Sequence, residues 1–204
     1  MKAAMISIQP KWCELIANGE KTIEVRTTKP KIDTPFKCRI YCTAMKDKKR
    51  YSDEFDIPIN TRKYLGNGKV IGEFVCDDID KIFVHNDVVY CVSNTQPNKL
   101  KQMCLSVEEL KDYLVVNPNI ASTLNAVDTN TGYAWHISDL KIYDEPKELS
   151  EFDYYNKCVS NCENVDCCKT NTIANECEGY TPCAITRPPQ SWCYCEEIKE
   201  NENG

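Results

Sequence analysis

The sequence predicts an α+β fold, mostly β, built around a small barrel. Two local observations carry this: five or six short segments alternate in period two, and only two short stretches show helical spacing. Strands so short, spread over about 145 residues with two short helices, read as a small barrel. A third observation sets the boundary, because the composition changes after Glu145-Pro146.

Ala3 to Ile8 reads as a first strand. Pro10 then opens a helix at the position where its missing N–H costs nothing, and Trp12, Leu15 and Ile16 follow at helical spacing. Gly19 stops that helix. Lys21 to Arg26 alternates: Ile23 and Val25 on one side, Thr22, Glu24 and Arg26 on the other. Phe36 to Ala44 is a third strand, with Cys38, Ile40 and Cys42 in phase, and a basic run from Lys46 to Arg50 follows. After Gly66-Asn67-Gly68, Lys69 to Cys76 is a strand and Ile79 to Tyr90 continues the sheet beyond a bend. Ser106-Val107-Glu108-Glu109 is a capping box with Leu105 and Leu110 as its staple; its helix is expected to reach about Val116, before Asn117-Pro118. Gly132 to Tyr143 closes the series with Tyr133, Trp135 and Ile137 on one face and His136 on the other.

Two regions follow: residues 1–148 as the barrel domain and 149–204 as an extension that docks back onto it. The extension is short of aliphatic side chains and rich in Cys, Asn and Glu, so it needs staples or a metal to fold.

Charge is unevenly spread. Residues 1–69 carry 15 basic and 8 acidic side chains, a net +7, while the whole chain is at −6. The overall acidity argues against a nucleic-acid partner, but the first third alone favours an anion or a polynucleotide. The longest uncharged stretch, Tyr113 to Val127, is too short and too polar to span a bilayer. The apolar run near the N-terminus is shorter than a signal-peptide core and lacks a cleavage site, so a cytoplasmic protein is expected, with no membrane partner.

Residues 6–26 resemble the opening of the ASCH domain, a branch of the PUA-like superfamily. The order that carries the resemblance is Gln9-Pro10, a short helix, then Gly19-Glu20-Lys21-Thr22-Ile23-Glu24-Val25-Arg26. Tyr133-Ala134-Trp135-His136-Ile137 through Ile142-Tyr143 is similar to the closing strand of that domain. Thr186-Arg187-Pro188-Pro189-Gln190-Ser191-Trp192-Cys193-Tyr194 is similar to the tail of a phage- or prophage-type subgroup. The resemblance implies a PUA-like β-barrel with a cleft beside its first helix, suited to RNA, a nucleotide or a modified base. Its members include RNA-binding proteins, proposed ribonucleases and amidohydrolases that deacetylate N4-acetylcytidine. In that last branch a Thr stands three positions after the Lys, where this chain has Glu24, and a distant acid completes the set; Glu73, Glu108 and Glu109 are candidates here.

The ligand-binding candidates are Gln9, Lys21, Thr22, Glu24, Arg26 and Arg187, and Lys21 and Glu24 are also the catalytic candidates. A lysine acts as a point charge for phosphate, or as a base when desolvation lowers its pKa. Arg26 suits bidentate binding of phosphate or a base edge, and Glu24 orients a cation or accepts from an exocyclic amine. Periodicity alone also allows a solvated strand face on which Glu24 and Arg26 simply pair. Gln9 precedes a helix N-terminus that favours anions, whereas the phase of Trp12 points to core packing. The segment from Arg187 to Trp192 is expected to dock the tail onto the barrel with Arg187 near the cleft; plain packing of Trp192 is the alternative.

Eight of the 14 Cys lie between Cys158 and Cys195. Pairs separated by three or four residues match zinc-knuckle spacing, and both His fall outside the segment, so a structural zinc would be held by thiolates alone. Cys158, Cys162, Cys177 and Cys183 bracket the segment and are the candidate ligands. Disulfides or plain reduced thiols are the alternatives, the former disfavoured in a reducing compartment.

The expected function is binding of RNA or of a small or modified nucleotide through the Lys-Thr-x-Glu-x-Arg strand. A hydrolase with catalytic Lys21, and a phage protein that sequesters a host nucleotide signal, are the alternatives.

Overall fold

A computed structural model describes residues 1–44, 68–85, 87–91, 99–114, 130–158 and 182–197. The elements are β1 (Lys2–Ile8), α1 (Pro10–Ala17), β2 (Ile23–Arg26), β3 (Phe36–Cys42), β4 (Lys69–Cys76), β5 (Ile79–His85) and β6 (Val88–Cys91). They continue with α2 (Lys99–Met103), α3 (Val107–Tyr113), β7 (Asn130–His136), β8 (Ser138–Lys147), a 3-10 turn (Leu149–Glu151), β9 (Asp153–Cys158), β10 (Pro182–Ala184) and β11 (Trp192–Glu196).

The α+β, mostly β class holds, but the expected barrel does not close. The described strands form two open sheets, in the orders β10-β9-β11-β1-β3-β4-β8 and β2-β7-β5-β6. Each order ends in edge strands instead of returning to its first member. The chain accordingly divides into two compact units: residues 1–10, 37–73 and 141–204, and residues 11–36 and 74–140.

In the first unit β1 is central, parallel to β3 and antiparallel to β11. Six of its seven residues are buried, because a strand covered on both faces needs no polar alternation. Ala3, Met5, Tyr41, Val70, Leu149, Phe152, Ile185 and Cys195 form its core. Residues 153–158 and 182–197 thus supply three strands of this sheet, with β11 between β1 and β9. Buried Arg39 donates to the Glu196 carbonyl at 3.1 Å and contacts Cys195 Sγ at 3.4 Å, a polar tie from β3 to β11.

In the second unit Ile23, Val25, Ile82, Val84 and Ala134 of the sheet pack against Met103 of α2, Leu110 of α3 and Leu114 at its C-cap. The capping box forms as its sequence predicts: Ser106 accepts from the Glu109 N–H, and Glu109 accepts from the Ser106 N–H. The helix ends at Tyr113, about one turn sooner than its sequence implies, with the Leu114 N–H bonded to the Leu110 carbonyl. Ile79 to Tyr90 does not continue the sheet of β4 but forms a hairpin, β5 and β6, of the four-stranded sheet, with Asp87 at φ 60 in its turn. Gly132 on β7 allows Leu114 and the Arg26 carbonyl to approach closely, since a Cβ there would overlap Leu114 and meet that oxygen at 3.0 Å.

Candidate functional site

Lys21 is placed by the end of α1. Gly19 adopts φ +75, its N–H bonds the Ile16 carbonyl, and the Glu20 N–H bonds the Leu15 carbonyl. That is a complete Schellman motif, and the Lys21 N–H adds a second bond to Leu15. The chain then turns into β2. The Thr22 N–H bonds the Gln102 carbonyl, and the Thr22 carbonyl accepts from Ile137, so Thr22 contributes its backbone on both sides.

Lys21, Glu24 and Arg26 are 2%, 6% and 7% exposed. Glu24 bridges the two cations: one carboxylate oxygen lies 3.5 Å from Lys21 Nζ and the other 3.0 Å from Arg26 Nη2. Lys21 Nζ also donates to the Met103 carbonyl at 2.5 Å. The solvated strand face allowed by periodicity is therefore not what forms. Burial pushes the Lys21 ammonium below its usual pKa, and the Glu24 carboxylate opposes the shift.

Three further side chains surround the trio. The Trp12 indole has Lys21 Nζ 5.1 Å and Lys11 Nζ 4.4 Å from its ring, distances at which a cation is attracted to the π face. Tyr113 shares a hydrogen bond with Arg26; burial raises its phenol, the guanidinium opposes the rise, and the residue remains 41% exposed. Cys104, at φ 54, directs its thiol to the carbonyls of Glu20 (3.4 Å) and Lys101 (3.5 Å). Tyr113 and Cys104 have no motif around them, and only the three-dimensional pairing of β2 with α2 and α3 brings them here.

The other sequence candidates fall elsewhere. Gln9 is exposed between β1 and α1. Arg187 is exposed in the first unit, close enough to Tyr154 to act on its phenol. Glu73 accepts from the Tyr143 hydroxyl at 3.0 Å and lies 3.9 Å from Lys37, while Glu109 is held in the capping box and lies 3.8 Å from Lys11. Cys162, Cys177 and the basic run from Lys46 to Arg50 lie outside the described residues, as does the side chain of Cys158. Cys183, on β10, is a free thiol.

The second unit therefore presents an open antiparallel sheet whose edge strand, with the turn before it, carries a buried, carboxylate-bridged pair of cations. No family model matches the chain, and no curated protein does. Among solved structures it is similar to ASCH from Zymomonas mobilis, at 20% identity over 72% of this chain and 73% of that chain, with a TM-score of 0.44. It is also similar to two single-substitution variants of that protein. One matches at 20% identity over 73% and 77% of the two chains (TM-score 0.43), the other at 18% over 96% and 89% (TM-score 0.47). The likeness is in the fold alone. What this chain does is read from its own side chains.

Proposed function

We propose that the chain binds a nucleotide at the Lys21–Glu24–Arg26 trio, with the two cations taking the phosphate and the Glu24 carboxylate available to an exocyclic amine. The observation that carries this is the burial of three ionisable side chains with two cations to one carboxylate. Desolvating such groups is costly, and well-packed apolar residues would hold the fold equally well. A buried charge whose pKa is shifted by desolvation beside a specific charge partner, as that of Lys21 is, is a candidate functional group. Guanidinium and ammonium are the side chains suited to phosphate, and the rings of Trp12 and Tyr113 beside them suit stacking on a base.

The test is mass spectrometry of the small molecules and RNA released on denaturing the purified full-length protein. A nucleotide or RNA enriched with the wild type and depleted with Lys21→Met supports the reading. Equal recovery from both proteins contradicts it.

A second reading, a hydrolase acting on RNA or an acylated nucleoside, is favoured by the lowered pKa of Lys21 next to a carboxylate, which suits a general base. Turnover of the bound species by the wild type separates it from binding alone. Binding without turnover also fits a protein that sequesters a nucleotide signal.

A further inference from the structure

The four-stranded sheet has a face that the trio leaves largely unused. The register of β7 against β2 and β5 sets Arg26, Tyr133 and Lys81 in one row across the sheet. The next row on the same face is Thr131, Phe83 and Tyr90. The alternate residues, among them Val25, Ala134, Ile82 and Val84, turn the other way into the core. The Phe83 and Tyr90 rings stack, with centroids 5.0 Å apart and planes at 11°. Tyr90 is 38% exposed and Val88, further along β6, is 49% exposed. Lys81 is exposed, and exposed Lys29 places its ammonium 5.8 Å from the centre of the Tyr133 ring. Neither row carries a carboxylate among the described residues; Glu24 lies in the adjoining row, opposite Trp135.

We propose that this face binds single-stranded nucleic acid, with bases stacking on Tyr133 and on the Phe83–Tyr90 pair and phosphates meeting Lys29 and Lys81. Aromatic rings interleaved with cations match a strand whose bases are open for stacking and whose backbone is anionic. A duplex hides those base faces. With strands about 4.8 Å apart, the stretch from β7 to β6 spans about 10 Å, which is room for two or three bases, as on other four-stranded RNA-binding sheets. The ligand class rests on the nucleotide reading above, but the residues are different and can be tested separately.

The experiment is fluorescence anisotropy of a labelled oligouridylate decamer with the full chain, across a salt series, beside a matching RNA duplex, poly-glutamate as competitor, and uridine monophosphate by calorimetry. The single strand should bind more tightly than the duplex, and poly-glutamate should not displace it. Tyr90→Ala should weaken the decamer about tenfold, the scale of one lost base stack. Tyr90→Phe keeps the ring and should bind as the wild type does, which shows that the loss comes from stacking and not from misfolding. Lys29→Gln with Lys81→Gln should reduce the slope of log affinity against log salt by about 1.4, two phosphate contacts at about 0.7 each. None of these variants should alter uridine monophosphate binding. Unchanged decamer affinity in both the Tyr90→Ala and the double-Gln protein, preference for duplex, or displacement by poly-glutamate would overturn the proposal. Monophosphate binding without decamer binding would remove this face and leave the trio. The reverse would remove the trio and leave the face, and failure of both would remove both.

Discussion

Lys21 Nζ donates to the backbone oxygen of Met103, 82 residues further along the chain. That bond joins the approach to β2 with the end of α2, and it holds the ammonium where Glu24 can reach it. One carboxylate then serves two buried cations.

The first prediction concerns that shared carboxylate. Glu24→Ala leaves Lys21 and Arg26 buried without their counter-ion, so it should cost about 3–5 kcal/mol of stability. Lys21→Met removes a charge that burial disfavours, keeps the stem that packs, and leaves the Glu24–Arg26 pair intact. It should cost distinctly less. Denaturant unfolding of the two variants checks the order, and equal losses would contradict the bridging role of Glu24.

A second prediction follows from pH. Because the folded-state pKa of Lys21 lies below 10.5, the unfolded chain binds the extra proton between the two values, and stability contributed by this group rises with pH in that interval. The wild type should therefore gain on Lys21→Met as pH climbs from neutral toward 10.5. Buried thiols act in the opposite sense. Burial pushes Cys76 and Cys193 up to about 12 from a usual 9, so their contribution is whole below pH 9 and is lost as pH rises toward 12. Both proteins should weaken above pH 9, and only the difference between them isolates Lys21. A difference that is flat or of the opposite sign would place Lys21 in water.

Zinc gives a third prediction. The cysteine spacing between Cys158 and Cys195 predicts one to two equivalents of bound zinc in the purified full chain, measured by elemental analysis. Chelation should lower the melting temperature and expose more thiols to a colorimetric reagent. Metal-free protein with an unchanged melting curve in chelator would contradict it.

The helix ends were readable because their chemistry is local. Gly19 forms the Schellman motif and Ser106 with Glu109 forms the capping box, each within a few residues of the signal. The strand Lys69–Cys76 was readable for the same reason, its residues falling between a turn and a pair of aspartates. The burial of Lys21 was not readable, since it depends on a carbonyl in α2, a helix too short to leave a periodic pattern. Nor was the place of β11 readable, because pairing such as Met5 with Cys193 is decided by long-range register and not by spacing. The barrel expectation failed on this ground: strand content follows from local alternation, but closure depends on which edges meet.

The most direct test is calorimetric titration of the full-length protein with the nucleoside 5′-monophosphates in buffers of different ionisation enthalpy. A phosphate arriving beside Lys21 favours the ammonium, so in buffers near or above the lowered pKa of that group binding should take up protons, and affinity should weaken as pH rises through that pKa. Lys21→Met should abolish the proton uptake and reduce affinity about tenfold to a hundredfold, the scale of one lost charge-assisted hydrogen bond. Binding that is unchanged in Lys21→Met, or absent with every nucleotide in the wild type, would contradict the assignment of the trio as a nucleotide site.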